Sequence, residues 1–268
     1  MNMPMEQGFF STGLPYLAFG TGTPLVYLSD FTMTHTVPRP GAGRAAAARL
    51  VRPFVSAGYR VFWTNRRPGM VPGTTMGEIA GEHAAALREE FGRPVPVVAH
   101  GTGGSVALQL AVDHPTGVIS RLVLAGAAHA LGPVGRRFHR DMLAAAERGR
   151  SAMHRAAPAI TRDPLLRALL VVPLWIAGRF DGPPADHSDM KAMLLAEDAF
   201  DVHDRLHRIA VPVLVVWGAR DHLWPVEMFR QTADAIPGAK GIEYQRAGHS
   251  VVSRADFFRD ATAFLKAA

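Results

Sequence analysis

The chain has 268 residues, of which 48% are hydrophobic, so it is long enough for one large α/β domain whose core needs no cross-links. It contains no cysteine, which excludes disulfides, thiolate catalysis and cysteine-ligated metals. The formal net charge is +6, but no basic run with interleaved aromatic residues occurs, so we expect no nucleic-acid partner.

The N-terminal stretch MNMPMEQGFFSTGLPYLAFG shows no charged leader followed by an apolar run, so we expect no signal peptide and a cytoplasmic protein. The most apolar segment, Leu165–Gly178, is shorter than the roughly 20 residues that a membrane-spanning helix needs, and Pro173 interrupts it. We interpret this segment as a cap helix beside an apolar pocket and expect no membrane partner.

Short β-rich runs alternate with helical patterns in the first half of the chain, which predicts a parallel sheet with crossover helices. The glycine-rich FGTGTP predicts a hairpin turn, because it lacks the lysine of a phosphate loop. The predicted strands are PLVYLSDF, YRVFWTNRRPG and VPVVAH, separated by the helices GRAAAARLVRPFVSAG and TTMGEIAGEHAAALREEFG. Gly58 ends the first helix, and a capping box of Thr75 and Glu78 begins the second.

The run AHGTGG then joins the strand VPVVAH to the helix SVALQLAVDHP, and the strand ISRLVLAGAAHA follows. Residues 135–204 have a helical pattern without a convincing strand and too many apolar positions for a solvated tether. The alternation resumes in VPVLVVWGARD, VEMFRQTADAIPGA, KGIEYQRAGHS and a final helix. We therefore predict a core made of residues 1–134 and 205–268 and a helical cap made of residues 135–204.

The order of LAFGTGTPLVYL, AHGTGG, WGARDHLWP and AGHS resembles the α/β-hydrolase superfamily over essentially the whole chain. The resemblance implies the α/β-hydrolase fold, a mostly parallel central sheet flanked by helices, with an inserted helical cap. In that family a serine in a G-x-S-x-G turn is followed by an acid and then a histidine. The matching positions here are Gly101, Asp221 and His249, so the nucleophile position is expected to be vacant.

Neither nearby hydroxyl is expected to replace the serine. Thr102 is one position away on a tight turn, and Ser105 falls in the first helical turn, where we expect it to cap the helix. The small residues around Gly101 still suit such a turn, so we expect Gly101→Ser to restore slow esterase activity or labelling by a fluorophosphonate.

Asp221 and His249 both follow apolar strands, so their side chains should emerge at the carboxyl edge of the sheet, where ligands of open α/β folds bind. We expect a hydrogen-bonded pair in which the aspartate fixes the tautomer and orientation of the imidazole.

The resemblance also implies an oxyanion site, or a pocket, near Phe31, Thr102, Asp30 and His100. An acidic side chain beside an oxyanion site would repel the charge that the site stabilises. Either Asp30 turns outward, or the site no longer forms tetrahedral oxyanions. Both alternatives stay open at the level of sequence.

The other polar candidates carry weaker signals. We list His35, Trp224 and Trp175 as candidate substrate contacts. The run TNRRPG, with Arg66 and Arg67, could orient a substrate carbonyl or form surface salt bridges.

One stretch of the sequence has a metal-ligand spacing. His203 and His207 resemble the H-E-x-x-H motif of zinc proteases, but aspartate replaces the glutamate and no third ligand stands at a recognisable spacing. We predict no metal and no cofactor.

Three interpretations of Gly101 follow. The protein is an enzyme with His249 as a general base and no covalent intermediate, a catalytically inactive small-molecule-binding protein, or a serine hydrolase whose nucleophile was replaced experimentally. The pair Ser29 and Asp30 counts against the third, because a trapping substitution would leave that loop untouched.

The Asp221 and His249 pair favours an enzyme of the hydrolase, lyase or cyclase type. The proposed reactions are proton transfer, cyclisation, elimination or water attack. The apolar cap suggests a small or medium apolar substrate of secondary metabolism, polyketide-like or terpenoid. The sequence is compatible with a homodimer.

Overall fold

The computed structural model describes residues 3–148 and 186–267, together with residues 165, 168–169 and 171–172. One eight-stranded sheet has the order β1-β2-β4-β3-β5-β6-β7-β8. The pairs from β4 to β8 are parallel, and β1 and β2 are antiparallel at one edge, which confirms the predicted, mostly parallel sheet. The strands are Met5–Phe9, Pro15–Phe19, Thr23–Leu28, Tyr59–Thr64, Val95–His100, Ile119–Ala125, Val213–Gly218 and Lys240–Tyr244.

Helices cover both faces of the sheet, as predicted for parallel strands joined by crossovers. One face packs against α1 (Ala42–Ser56) and α7 (Ala255–Lys266). The other face packs against α2 (Met76–Phe91), α3 (Thr102–Asp113) and α6 (Val226–Ala235). The strands are buried between these two layers, so the polar side chains that follow them gather at the carboxyl edge of the sheet.

The capping box predicted at the start of α2 is confirmed, whereas the strands β1 and β2 near the N-terminus were not predicted. The hydroxyl of Thr75 accepts a hydrogen bond from the amide of Glu78 at 3.2 Å, and the Glu78 carboxylate accepts one from the Thr75 amide at 2.7 Å. The hairpin expected at FGTGTP is wrong, because β4 lies between β2 and β3. The turn connects β2 to β3, and these two strands are not paired with each other because β4 lies between them.

Next to the sheet, α4 (Pro133–Glu147) and α5 (Ser188–Asp198) pack against each other through an apolar cluster that Phe31 also contacts. Within the described part of residues 135–204 no strand joins the sheet, although an isolated bridge links Ala130 to Asp201. The division into core and cap stays a prediction, and the expected cap helix falls mostly outside the described residues. No helix in the described part of the chain is long and apolar enough to cross a membrane.

Candidate active site

The turn between β5 and α3 is built on glycine. Gly101 has φ 52° and ψ −123°, a backbone conformation that residues with a Cβ rarely adopt. At the second residue of α3, a Cβ added to Gly103 would lie 2.5 Å from the carbonyl oxygen of Ser29. The N-terminus of α3 therefore packs directly against the end of β3, where Asp30 follows.

Asp30 turns inward, to the N-terminus of α3. Its Oδ1 accepts hydrogen bonds from the backbone amides of Phe31 at 2.7 Å and Thr102 at 3.0 Å. The dipole of α3 favours a negative charge at this end of the helix. The two amides that the sequence suggested as an oxyanion site do converge, and the group they bind is the Asp30 carboxylate.

The carboxylate also fills the space beside Gly101. A Cβ added to Gly101 would overlap the Asp30 side chain, with Cγ at 2.5 Å and Oδ2 at 2.9 Å. Gly101→Ser would therefore require the Asp30 side chain to move, so we now expect esterase activity or labelling only when Asp30 is replaced as well. The neighbours in the chain are small, but a side chain from another loop already occupies the site.

The His249 imidazole, on the loop after β8, is fixed by two neighbours from the loop after β7. Its Nδ1 lies 3.0 Å from Oδ2 of the fully buried Asp221, whose Oδ1 accepts amide hydrogen bonds from Leu223 and Trp224. The Trp224 ring stacks on the imidazole with centroids 5.2 Å apart and planes 16° apart. Trp224 is 3% exposed, so it supports the histidine and offers a substrate little surface.

Two histidines face the free oxygen of Asp30. Nε2 of His249 lies 3.6 Å from Asp30 Oδ2, and Nδ1 of His100 lies 3.5 Å from the same oxygen. Nε2 of His100 is 3.3 Å from the backbone carbonyl oxygen of His249. Among the described residues, Asp30, His100 and His249 are a set whose ligand atoms all lie within 4.8 Å of one another, close enough to hold one metal ion.

The charges at this site shift the pKa values in opposite directions. Burial lowers the pKa of His249, but the carboxylates of Asp221 and Asp30 outweigh burial and raise it to about 10. Burial raises the pKa of the Asp30 carboxyl, but the rings of His100 and His249 outweigh it and hold this pKa well below its usual range. The pKa of His100 is lowered, mainly by burial.

Arg66 holds the loop that carries Asp30. It is 2% exposed, and its Nη1 donates hydrogen bonds to the carbonyl oxygens of Ser29 at 3.0 Å and Asp30 at 3.2 Å. Arg67 forms a partly exposed salt bridge with Glu82 at 2.7 Å. The TNRR run thus supplies one buried brace for the loop and one surface ion pair.

His35 belongs to the framework of the same loop. Its side chain is completely buried, and Nδ1 lies 3.2 Å from the carbonyl oxygen of Arg67. Burial, reinforced by Arg66, lowers its pKa to about 3, which keeps the ring neutral. We correct the suggestion that His35 contacts substrate, because its side chain has no exposed surface. Trp175, the remaining candidate contact, lies outside the described residues.

Glu197, on α5, is a residue that the sequence analysis missed. It is completely buried, and its carboxylate accepts hydrogen bonds from the hydroxyls of Thr102 at 2.9 Å and Ser105 at 2.7 Å. Burial raises the pKa of Glu197. The expectation that Ser105 caps α3 is wrong, because its hydroxyl binds Glu197. The only sequence signal was the acidic pair Glu197 and Asp198 within the apolar run MLLAEDAF.

The zinc-protease spacing has no counterpart in the structure. His203 and His207 lie on the 3-10 helix His203–Arg208. With three residues per turn, positions four apart do not share a face of such a helix.

Residues 12–261 match the family described as the alpha/beta hydrolase family. The chain belongs to the alpha/beta hydrolase family. A relative from Klebsiella pneumoniae, provisionally named carbamate hydrolase RutD, is 31% identical over 229 residues, which cover 80% of this chain and 82% of the relative. A Mycobacterium tuberculosis protein provisionally named non-heme bromoperoxidase BpoC is 27% identical over 248 residues, covering 88% and 90% of the two chains.

Solved structures of similar proteins confirm the fold. The crystal structure of BpoC has a TM-score of 0.72 at 23% identity and covers 100% of this chain and 97% of its own. An enol-lactonase from Burkholderia xenovorans has a TM-score of 0.68 at 20% identity and covers 98% and 100% of the two chains. At these identities the likeness shows the alpha/beta hydrolase fold alone.

Proposed function

We propose that the protein is an alpha/beta hydrolase family enzyme that acts on a small or medium apolar metabolite by non-covalent acid-base chemistry. The pair of His249 and Asp221 would act opposite Asp30, and no serine takes part. In this proposal Gly101 stands at the nucleophile position of the family. The observation that carries the proposal is the Asp30 carboxylate, which fills the space beside Gly101 and faces Nε2 of His249 across 3.6 Å.

The arrangement of amides argues against an acyl-enzyme. Acyl transfer needs backbone donors aimed at the oxygen that becomes negative in the transition state. The amides of Phe31 and Thr102 already donate to Asp30 Oδ1. A developing oxyanion would therefore have to displace a carboxylate or approach it against charge repulsion.

The same arrangement suits proton transfer. Asp30 Oδ2 and His249 Nε2 border one gap, and the Asp30 side chain is 36% exposed, so a substrate can reach it. One of the two groups would accept a proton from the substrate while the other returns a proton to a neighbouring atom, with Asp221 fixing the imidazole. Isomerisation, cyclisation and elimination all follow this pattern, and a water in the gap would give water attack.

The surroundings favour an apolar substrate. Phe31 and Met33, on the Asp30 loop, pack against the apolar cluster between α4 and α5. The relatives carry names of hydrolases of carbamates and of an enol-lactone, which are carbonyl compounds. Small apolar carbonyl compounds are therefore the first panel to screen.

The test is a screen for binding, followed by turnover assays with the compounds that bind. We expect His249→Ala to lower turnover by about 10² to 10⁴, as loss of a general acid or base usually does, and Asp221→Asn to lower it by a comparable or smaller factor. His203→Ala, on the 3-10 helix, is the matched control and should keep wild-type turnover. Mass spectrometry during turnover should show unmodified protein.

Two outcomes would contradict the proposal. Wild-type turnover in the His249→Ala variant would remove the proposed acid-base group. Tight binding of panel compounds that are never converted would favour the alternative, a non-catalytic binding protein.

A further inference from the structure

The three side chains around the gap are spaced as metal ligands are. Asp30 Oδ2 lies 3.5 Å from His100 Nδ1 and 3.6 Å from His249 Nε2, and all three atoms lie within 4.8 Å of one another. Adjacent ligand atoms bound to one ion at 2.0–2.2 Å lie about 2.8–3.6 Å apart in octahedral or tetrahedral geometry. A small inward movement of the rings would complete such a set.

Direct contacts among the three groups do not explain this spacing as well. Hydrogen bonds between a charged nitrogen and a carboxylate are usually about 2.7–2.9 Å long. Both distances to Asp30 Oδ2 exceed that range, and they are longer than the outer contacts of the two rings, at 3.0 and 3.3 Å.

Those outer contacts are the ones that orient metal-binding histidines. Such a histidine usually donates its other ring N–H to a carboxylate or a backbone carbonyl, which fixes the tautomer and aims the lone pair at the metal. His249 Nδ1 lies 3.0 Å from Asp221 Oδ2, and His100 Nε2 lies 3.3 Å from the His249 carbonyl oxygen. The Phe31 and Thr102 amides hold Oδ1 of Asp30, which leaves Oδ2 facing the rings.

We propose that Asp30, His100 and His249 form a three-ligand site for a divalent first-row transition-metal ion, with Zn²⁺ as the best-fitting ion. Two imidazoles and one carboxylate are ligands that Zn²⁺ and its neighbours accept, and the partly exposed Asp30 leaves room for a fourth, exchangeable ligand. This site shares no residue with the His203 and His207 motif.

The inference goes beyond the proposed function and does not depend on it. An ion on His249 Nε2 and a proton on the same atom exclude each other. Bound zinc would therefore block the proton transfer. For this reason the turnover assays are carried out with protein treated with EDTA.

The test is calorimetric titration of Zn²⁺ into the EDTA-treated full chain, with the visible spectrum of bound Co²⁺ as a second readout. We expect one ion per chain and Co²⁺ bands typical of nitrogen and oxygen ligands. Asp221→Asn, which removes the support of one ligand, should weaken binding by about 10- to 100-fold. Asp30→Asn and His100→Gln should weaken it further. The double variant His203→Gln/His207→Gln is the control and should bind as the wild type does.

Where a variant fails to fold, the wild-type titration and Co²⁺ spectrum still show whether one ion binds through nitrogen and oxygen ligands. Absence of stoichiometric binding at micromolar free metal would overturn the proposal. The proposal would also be overturned if folded Asp30→Asn and His100→Gln proteins kept the Zn²⁺ affinity of the wild type while the control variant lost it. Because no substrate is present, neither result bears on proton transfer.

Discussion

At residue 30 one carboxylate has two structural roles. Its Oδ1 accepts hydrogen bonds from the amides of Phe31 and Thr102, and the whole carboxylate group, Oδ1 included, occupies the space that a side chain at position 101 would need. Gly101 and Asp30 therefore fit each other: the turn between β5 and α3 has no side chain at the place that the Asp30 carboxylate fills from the loop after β3.

The first prediction concerns Arg66, the buried brace of that loop. Arg66→Met should lower the free energy of unfolding by about 2–4 kcal/mol, because the Ser29 and Asp30 carbonyls lose their donor and a buried polar group without a partner costs about 1–3 kcal/mol. Urea unfolding measures the change. The neighbouring Arg67→Met should cost less than about 1 kcal/mol, because its salt bridge is partly exposed. Equal losses in the two variants would contradict the assigned role.

Sequence motifs predicted some of these contacts and missed others for a physical reason. Asp221 and His249 could be paired because each follows a strand and parallel strands end at one edge. The roles of Arg66 and Glu197 depend on contacts across 36 and 92 or more positions, and no local pattern encodes them. The sequence left two orientations of Asp30 open, and only the packing of α3 against β3 distinguishes them.

At the scale of elements, a buried carboxylate on α5 links this helix to α3. Glu197 accepts the hydroxyls of Thr102 and Ser105, so a helix next to the sheet contacts the helix that begins at Gly101. Propensity and capping signals predicted the helices of the core well. The edge strand β1 was missed because its residues are mostly exposed and carry little apolar pattern. The buried β2 was also missed, and its place between β1 and β4 is not encoded locally.

The second prediction tests this connection. Glu197→Ala should lower the free energy of unfolding by about 2–5 kcal/mol, because it leaves two hydroxyls without an acceptor. In a Thr102→Val/Ser105→Ala background the same substitution should cost clearly less, as a double-mutant cycle would show. Glu147→Ala, at an exposed position of α4, should cost less than about 0.5 kcal/mol. Additive losses would contradict the coupling.

At the scale of the whole molecule, two buried neutral histidines make stability depend on pH. His35 and His83 are almost completely buried. Burial, reinforced by Arg66, lowers the pKa of His35 to about 3 and that of His83 to about 4. The other charged groups that face the pair are Glu82 and Asp189. Between these values and the unfolded pKa of about 6.5, the unfolded chain binds more protons than the folded one.

The third prediction follows from this difference in proton binding between the unfolded and the folded chain. The free energy of unfolding should fall as the pH drops below about 6.5, with each unit of pKa depression worth at most about 1.4 kcal/mol per histidine. Urea unfolding between about pH 7 and pH 5 measures the slope. The variant His35→Gln/His83→Gln should flatten it, and His203→Gln/His207→Gln should leave it unchanged. If the free energy of unfolding changed equally with pH in both variants, the assignment of this pH dependence to His35 and His83 would be contradicted.

The central proposal is that Gly101 stands at the nucleophile position and that Asp30 fills the space of the missing serine side chain. Covalent labelling with a fluorophosphonate tests it most directly. Wild type, Asp30→Gly, Gly101→Ser and Gly101→Ser/Asp30→Gly are compared after their folds are checked by circular dichroism. Only the double variant is expected to be labelled, at position 101, because only there can a hydroxyl approach His249 with the Phe31 and Thr102 amides free. Labelling of Gly101→Ser alone at the rate of the double variant, or no labelling of a folded double variant, would contradict the account.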